Sequence, residues 1–120
     1  MSPDGDLQRF LPLKTDALLV LMVLERAPRH GYGIIRDVEA RSGGETILQT
    51  GALYRLLKRL LADGLIEEVV PAGGADPDDR RRFYRATRLG SAVLAAEVER
   101  MARLVRQART RPAGGKPRLA

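Results

Sequence analysis

Basic side chains that can bind phosphate are concentrated in two short stretches of this chain. Five arginines stand within nine residues that contain no acid: Arg80, Arg81, Arg82, Arg85 and Arg88. Four more cations lie near the carboxyl end: Arg109, Arg111, Lys116 and Arg118. Each contact between a cation and a phosphate releases counterions, so clustered arginines favour a polyanionic partner, either a nucleic acid or an acidic membrane surface. The alternative interpretation is a solvated surface that only keeps the chain in solution.

The excess of positive charge is local. The chain carries 21 Lys and Arg against 15 Asp and Glu in 120 residues, a net charge of +6. When the nine clustered cations are set aside, twelve basic residues remain against fifteen acidic ones, so the remainder has a net charge of −3. A partner recognised by charge is therefore expected at the clusters.

Residues for metal binding, thiol chemistry or catalysis are scarce. There is no cysteine and one histidine, His30, which excludes disulfides, Cys/His zinc sites and thiol nucleophiles. Asp76, Asp78 and Asp79 lie in a loop that lacks the glycine and the distal glutamate of a calcium-binding loop. No serine has a histidine neighbour, and no phosphate-binding glycine loop is present. We expect no enzyme, no metal site and no cofactor, and we assign His30 to a helix cap.

Length and hydropathy indicate one small domain. The longest apolar run covers the eight residues 17–24, whereas a helix that crosses a bilayer needs about 20. The amino end has Asp4 and Asp6 and does not resemble a secretion signal. We expect a cytoplasmic protein with no membrane partner. At this size an additional helix or a second subunit often completes the core.

The spacing of apolar residues predicts four helices and one hairpin. Residues 1–12 form a partly ordered arm. A helix with no polar face in its middle follows at 15–27 with Thr15 as its N-cap. A short amphipathic helix starts near His30 and ends before Gly43. Residues 45–48 are expected to form a short strand. A third helix covers 50–63 and ends at Gly64, and strands at 65–70 and 82–86 enclose a long flexible tip.

The third predicted helix has two distinct faces. Its leucines fall within about 80° of Leu53, and the opposite arc carries a different set of side chains: Tyr54, Arg55, Lys58 and Arg59. Thr50 and Gly51 leave the amino end of this helix small enough for a phosphate to approach its free N–H groups. The arc is therefore expected to contact bases or backbone of a nucleic acid.

The last helix begins after Thr87, its predicted N-cap, and reaches residue 108. Its apolar positions follow the 4-3-4-3 spacing of a coiled-coil seam: Leu94, Val98, Met101, Val105 and Ala108. One seam needs a partner surface, so residues 89–108 are expected to form a homodimer interface. Residues 109–120 contain basic residues, Pro and Gly and are expected to form a disordered tail.

The element order helix, helix, helix, strand, strand, helix is that of a mainly α, winged helix-turn-helix domain at 13–88 with a dimerisation helix appended. In this architecture the third helix enters the major groove of double-stranded DNA. The hairpin arginines, Arg80, Arg81 and Arg82, would hold flanking phosphates or enter the minor groove.

Four segments resemble the PadR family of transcriptional regulators: HGYGI at 30–34, TGALYRLLKRL at 50–60, DGLI at 63–66 and RFYRATRLG at 82–90. Each segment alone is common in winged-helix repressors, but their order and spacing together are specific over about residues 15–100. The resemblance, which is greatest to the short subfamily with one carboxyl-terminal helix, implies a bacterial homodimer that binds a palindromic operator. Such a protein is usually a repressor and is sometimes released by a small-molecule effector. The chain departs from the pattern at Ala86, where the family usually has a larger apolar residue, and at the acidic tip.

Two questions stay open at the level of the sequence. An effector site would lie between the domain and the last helix, with aliphatic walls from Met101, Leu104 and Val105. The competing function is a protein-interaction module that keeps the winged-helix fold and binds a partner protein through the same basic helix.

Overall fold

The computed structural model describes residues 7–70 and 82–110. This part of the chain forms four helices, α1 (Thr15–Arg26), α2 (Gly31–Arg41), α3 (Thr50–Ala62) and α4 (Arg88–Arg109), and three strands, β1 (Arg29–His30), β2 (Ile66–Val69) and β3 (Phe83–Ala86). A short 3₁₀ helix, Gln8–Phe10, precedes α1. The architecture is the predicted mainly α, winged helix-turn-helix fold with a long last helix.

The strands form one antiparallel sheet in the order β1-β3-β2. Ile66 of β2 stands opposite Ala86 of β3, and Val69 stands opposite Phe83, as expected for the two arms of a hairpin. Strand β1 was not predicted, because two residues are too few to show an alternating pattern. It pairs with the outer edge of β3, where His30 lies opposite Phe83.

The predicted strand at residues 45–48 is wrong. Gly43 and Gly44 have φ angles of 65° and 84°, which turn the chain in the left-handed region directly after α2. The hydroxyl of Ser42 then accepts a hydrogen bond from the Thr46 N–H at 2.9 Å. Local bonds of this kind compete with strand pairing, so the segment remains an irregular connection to α3.

The predicted capping residues mark the helix ends with one exception. His30 Nδ1 accepts a hydrogen bond from the Gly33 N–H at 3.2 Å, and Thr87 Oγ1 accepts one from the Gly90 N–H at 3.0 Å, which confirms both predicted caps. Helix α3 ends before Gly64, whose φ of 75° suits a glycine. Thr15 is not a cap: it is the first residue of α1, and the N-cap position is held by Lys14 without a side-chain hydrogen bond.

The core surrounds α1, as its unbroken apolar run predicts. Val20, Leu21 and Leu24 are buried on this helix. The other helices and the sheet contribute further buried side chains: Ile34, Leu53, Leu57, Leu65, Ile66, Tyr84 and Val93. Burial also raises the pKa of the Tyr84 phenol, because the charged form would lose its solvation.

Residues 7–13 dock on this core. Leu7 is buried, and Phe10, Leu11 and Leu13 pack against the core cluster. The Leu13 N–H donates a hydrogen bond of 2.7 Å to Oε2 of Glu97, a carboxylate on α4 that is 1% exposed. Arg100 Nη2 donates to the same oxygen at 3.1 Å. The hydrogen bonds from Arg100 hold the pKa of Glu97 below its ordinary value in spite of burial.

A tight joint connects the end of α3 with the start of α4. The Thr87 hydroxyl donates a hydrogen bond to the Gly64 carbonyl at 2.6 Å, and the Thr87 N–H donates to the Leu65 carbonyl at 3.0 Å. Gly90 packs so closely on Leu65 that a Cβ atom at position 90 would lie 2.9 Å from the Leu65 carbonyl carbon. The direction of α4 is thereby fixed relative to α3.

Candidate nucleic-acid interface

Helix α3 separates its side chains as its sequence predicts. Its apolar face is buried through four leucines, Leu53, Leu56, Leu57 and Leu60. The opposite face is exposed and carries Tyr54, Arg55, Lys58 and Arg59. Because the leucines lock the rotation of the helix about its axis, the four polar side chains face outward together.

The amino end of α3 is open. Gln49 holds the N-cap position and makes no side-chain hydrogen bond to the first turn. Thr50 and Gly51 are both exposed. The guanidinium of Arg55 folds back along the helix, and its Nη1 would lie 3.4 Å from a Cβ atom at position 51. The first turn thus combines N–H groups that no side chain caps with a nearby cation, an arrangement suited to an anion.

Tyr54 stands where α3 meets the start of α2. It is 49% exposed, so its ring lies between the core and solvent. A Cβ atom at Gly31 would lie only 2.6 Å from the Tyr54 hydroxyl oxygen and 3.2 Å from Cζ. The absence of a side chain at position 31 therefore lets the tyrosine ring lie across the first turn of α2. The sequence shows both residues, but their contact depends on how α2 and α3 pack.

Ion pairing divides the basic residues into two groups. Among the described residues, Arg55, Lys58 and Arg59 have no carboxylate within ion-pair distance. The described arginines of the wing are paired: Arg82 lies 3.2 Å from Glu68, and Arg85 lies 2.7 Å from Glu67. Glu68 and Glu67 of β2 thus offset the charge of Arg82 and Arg85, whereas no described carboxylate offsets the charge of these three cations of α3.

Two predicted wing contacts, Arg80 and Arg81, lie outside the described residues, as do the acidic tip and most of the expected tail. Arg82 is described, and its side chain is exposed beside Glu68. The structure thus brings together the six predicted site residues of α3 and places Arg82 apart from them, on the sheet.

The predicted seam of α4 has two parts. Leu94 is only 6% exposed, since it packs in the core of its own chain and is covered without a partner. Val98 is 51% exposed, Met101 40% and Val105 47%, and Leu104 is also exposed. These four side chains form an apolar stripe on the part of α4 that extends beyond the core.

A cleft of about 350 Å³ lies between α1, the end of α2 and α4. Its walls combine apolar residues with charged ones: Met22, Glu25, Arg26, Arg41, Leu94, Ala95 and Val98. It is in the region where the sequence suggests an effector site, but Met101, Leu104 and Val105 lie on the outer stripe and do not line it. Within residues 7–70 and 82–110, no group of three or more His, Asp or Glu side chains is placed to hold a metal ion.

Sequence reasoning missed two sets of residues. Glu97 lies in a charged stretch of α4, where nothing in the sequence marks it as buried. In the fold it accepts hydrogen bonds from the Leu13 N–H of the docked arm and from Arg100 on its own helix. Arg9 and Lys14 are isolated cations in the sequence, yet the arm carries them to the end of α3, beside Arg59. The apolar residues of the arm were the available signal that it docks.

No described helix is long and apolar enough to cross a membrane.

The fold and this surface together define a winged-helix protein whose third helix has a basic exposed face. Residues 20–96 match the model of the family described as "Transcriptional regulator PadR-like family". The chain belongs to the PadR-like family of transcriptional regulators. This match confirms the resemblance to the PadR family that the sequence segments indicate. At the level of the family, it supports DNA binding and transcription regulation and a role other than that of an enzyme.

Individual relatives are similar over most of the chain. A protein from Lysinibacillus sphaericus, named only "Uncharacterized protein X", is 29% identical over 87 residues, which are 72% of this chain and 77% of that protein. A transcriptional regulator from Clostridium thermocellum superposes with a TM-score of 0.62 at 18% identity, covering 92% of this chain and 99% of the other. A PadR family transcription regulator from Clostridium difficile gives 0.62 at 22% identity, with 79% and 94% covered. At these identities the two structures confirm the fold.

Proposed function

We propose that this protein is a homodimeric, sequence-specific DNA-binding repressor that places α3 in the major groove of a palindromic operator. The observation that carries this proposal is the exposed face of α3, whose cations have no ion-pair partner among the described residues and whose opposite face is fixed in the core. A rigid helix with free guanidinium groups is the device that reads guanine edges in the major groove. Its DNA partner would place the protein in the cytoplasm.

Each predicted contact has a distinct role in this proposal. Thr50 and Gly51 bring the open amino end of α3 to a phosphate, which fixes the register of the helix. Arg55 and Lys58 face the bases, and Arg59 faces the backbone at the edge of the groove. Tyr54, held over Gly31, contacts the sugar-phosphate backbone on the other edge. Arg80 and Arg81 would add contacts from the wing, whereas the charge of Arg82 is shared with Glu68.

Dimerisation rests on the exposed stripe of α4. Val98, Met101, Leu104 and Val105 are large apolar side chains on one helix face, and burying them against a second copy would remove them from water. Two recognition helices related by a two-fold axis would read the two halves of a palindrome. The cleft beside Arg26 and Arg41 is the site where a small effector could bind, because its wall includes Leu94 and Val98 of the same helix.

Fluorescence anisotropy tests the proposal directly. A duplex from upstream of the encoding gene and a scrambled duplex of equal length are titrated with the protein over a series of salt concentrations. We expect selective binding of the first duplex, saturating at two chains per site. The Arg55→Ala, Lys58→Ala double variant should lose about 2–4 kcal/mol of binding free energy, roughly 30- to 1,000-fold in affinity, while it remains folded.

The matched control removes the same charge elsewhere. Arg26 and Arg41 line the cleft on the α4 side of the domain. The Arg26→Ala, Arg41→Ala variant should therefore retain most of the affinity. Unaltered affinity of the Arg55, Lys58 variant would remove α3 from its role, and absence of binding to any selected duplex would favour the protein-interaction module instead.

A further inference from the structure

A second basic surface lies beside the DNA-binding face of α3. The docked arm, the start of α1 and the end of α3 enclose a cleft of about 230 Å³. Its walls include three cations, Arg9, Lys14 and Arg59, and one carboxylate, that of Asp63. The three cations come from separate parts of the chain, so only the folded protein brings them together.

The charge of this cleft is not balanced within the described structure. Arg9, Lys14 and Arg59 are exposed, and none of them forms an ion pair with a described carboxylate. Asp63 is the acidic residue of the described cleft wall, so the cleft has an excess of positive charge. By contrast, five described arginines elsewhere lie within 4.0 Å of a carboxylate: Arg29, Arg82, Arg85, Arg100 and Arg106.

Arg9 and Lys14 lie on backbone that contacts with the core hold in place. The guanidinium of Arg9 lies over the ring of Phe10, 4.6 Å from its centroid. Phe10 packs against the core, and Leu7 on the other side of Arg9 is buried. Lys14 directly follows Leu13, whose N–H is bound to Glu97. Cations held in this way lose less conformational entropy on binding than those of a free tail.

The cleft continues the surface proposed for DNA. Arg55 and Arg59 are four residues apart on α3, so they share one stripe of its exposed face, and Asp63 lies one further turn along. A duplex whose major groove holds α3 has its phosphate backbone along the edges of that helix. On the edge marked by Arg59, the next cations of the protein are Lys14 and Arg9.

We propose that Arg9 and Lys14 bind phosphates of the DNA backbone that borders the groove entered by α3. The docked arm thereby extends the DNA-binding site beyond the helix-turn-helix and the wing. Because these contacts go to phosphates, they add affinity for any duplex and leave the choice of sequence to α3. This inference rests on the function proposed above.

The test compares the salt dependence of DNA binding in two double variants. Arg9→Ala, Lys14→Ala removes two cations of this cleft. Arg26→Ala, Arg41→Ala, assayed without any effector, removes the same charge from the last residues of α1 and α2, at the end of α1 that lies about 18 Å from its start. Each variant is titrated by anisotropy against the duplex that the wild type selects and against a scrambled duplex. Circular dichroism establishes that both variants are folded.

Loss of two phosphate contacts should lower the slope of log K against log salt by about 1.8 on both duplexes. The ratio of wild-type to variant affinity should accordingly fall about 12-fold between 50 and 200 mM salt, with the preference for the selected duplex unchanged. The conservative Arg9→Lys, Lys14→Arg variant should restore the wild-type slope.

Three results would overturn the inference. An unchanged slope in the Arg9, Lys14 variant, with the wild type still selective, would exclude the arm and leave the proposed function intact. An equal change of slope in the Arg26, Arg41 variant would assign the effect to total charge. Failure of the wild type to bind any duplex would overturn both the inference and the proposed function.

Discussion

Replacing Gly90 by alanine should destabilise the whole domain, because no space exists for one methyl group at the joint between α3 and α4. A Cβ atom there would overlap the Leu65 carbonyl oxygen and lie 2.9 Å from its carbon and 3.3 Å from the Leu65 Cα. All three atoms belong to backbone that is held between α3 and β2. The clash cannot be relieved by rotation of a side chain, so α4 must move.

The cost can be worked from the contacts that such a movement breaks. Overpacking of a tight site costs about 1–3 kcal/mol. The displaced first turn of α4 would also weaken the hydrogen bonds from Thr87 to Gly64 and Leu65, at about 1 kcal/mol each. The sum is about 3–5 kcal/mol, a large part of the stability of a small domain. The midpoint of thermal unfolding should fall by about 12 °C or more.

Gly31→Ala is the matched control. A methyl group at position 31 meets the Tyr54 hydroxyl oxygen at 2.6 Å, but this atom is the end of a half-exposed side chain that can swing outward. We expect its unfolding free energy to stay within about 1 kcal/mol of the wild type, since alanine also restricts the unfolded chain. DNA binding should weaken instead, because Tyr54 loses its position.

Thermal and urea unfolding followed by circular dichroism would measure both variants at equal protomer concentration, since the stability of the proposed dimer would depend on concentration. A Gly90→Ala protein within about 0.5 kcal/mol of the wild type would refute the argument, because it would show that α4 moves away from Leu65 without cost. Equal destabilisation by the two substitutions would show that the difference between backbone and side-chain contacts does not decide the outcome.

Two further predictions concern α4. Glu97→Gln should lower the free energy of unfolding by about 1–2 kcal/mol at neutral pH, because the ion pair with Arg100 is lost. The loss stays this small because Arg100 is partly exposed and can return to solvent. The pKa of Glu97 is lowered in the folded state, so its ionised carboxylate contributes fully to stability above the ordinary pKa of 4.5, and this contribution is lost as the pH falls toward the lower folded pKa. Urea midpoints measured from pH 7 to pH 3 should therefore fall more steeply for the wild type than for the variant. Parallel curves would contradict this prediction. Val98→Asp with Met101→Asp should yield a folded monomer in sedimentation experiments, because both side chains are exposed in the single chain and face the partner copy in the proposed dimer. Val70→Asp, at another exposed apolar residue, is the control, and a dimeric double variant would exclude this stripe as the interface.

Elements with a strong local pattern could be predicted from the sequence. The apolar run of α1 and the leucine spacing of α3 define both helices and their buried faces. Thr87 and Gly64 mark helix ends through chemistry that acts within a few residues. The hairpin follows from two short apolar segments. Each of these signals lies within one element or at its end, so no knowledge of the packing is required.

Features that depend on distant residues could not be predicted. Glu97 is buried because Leu13, 84 positions away, donates a hydrogen bond to it. Strand β1 exists only because β3 offers it a free edge. The same holds for Gly31, whose importance comes from Tyr54 on another helix. In each case the residue types are ordinary, and their role follows from a contact that only the fold creates.

The arginine cluster shows how such contacts change the meaning of charge. In the sequence, residues 80–88 are the densest positive segment, and Arg80, Arg81 and Arg82 are expected to contact DNA. In the folded chain, Arg82 pairs with Glu68 and Arg85 pairs with Glu67, so neither pair carries a net charge. The cations of α3 have no such partners in the described structure. Density of charge along a chain therefore does not give the net charge of a surface, because the carboxylates that the fold brings near each cation come from other segments.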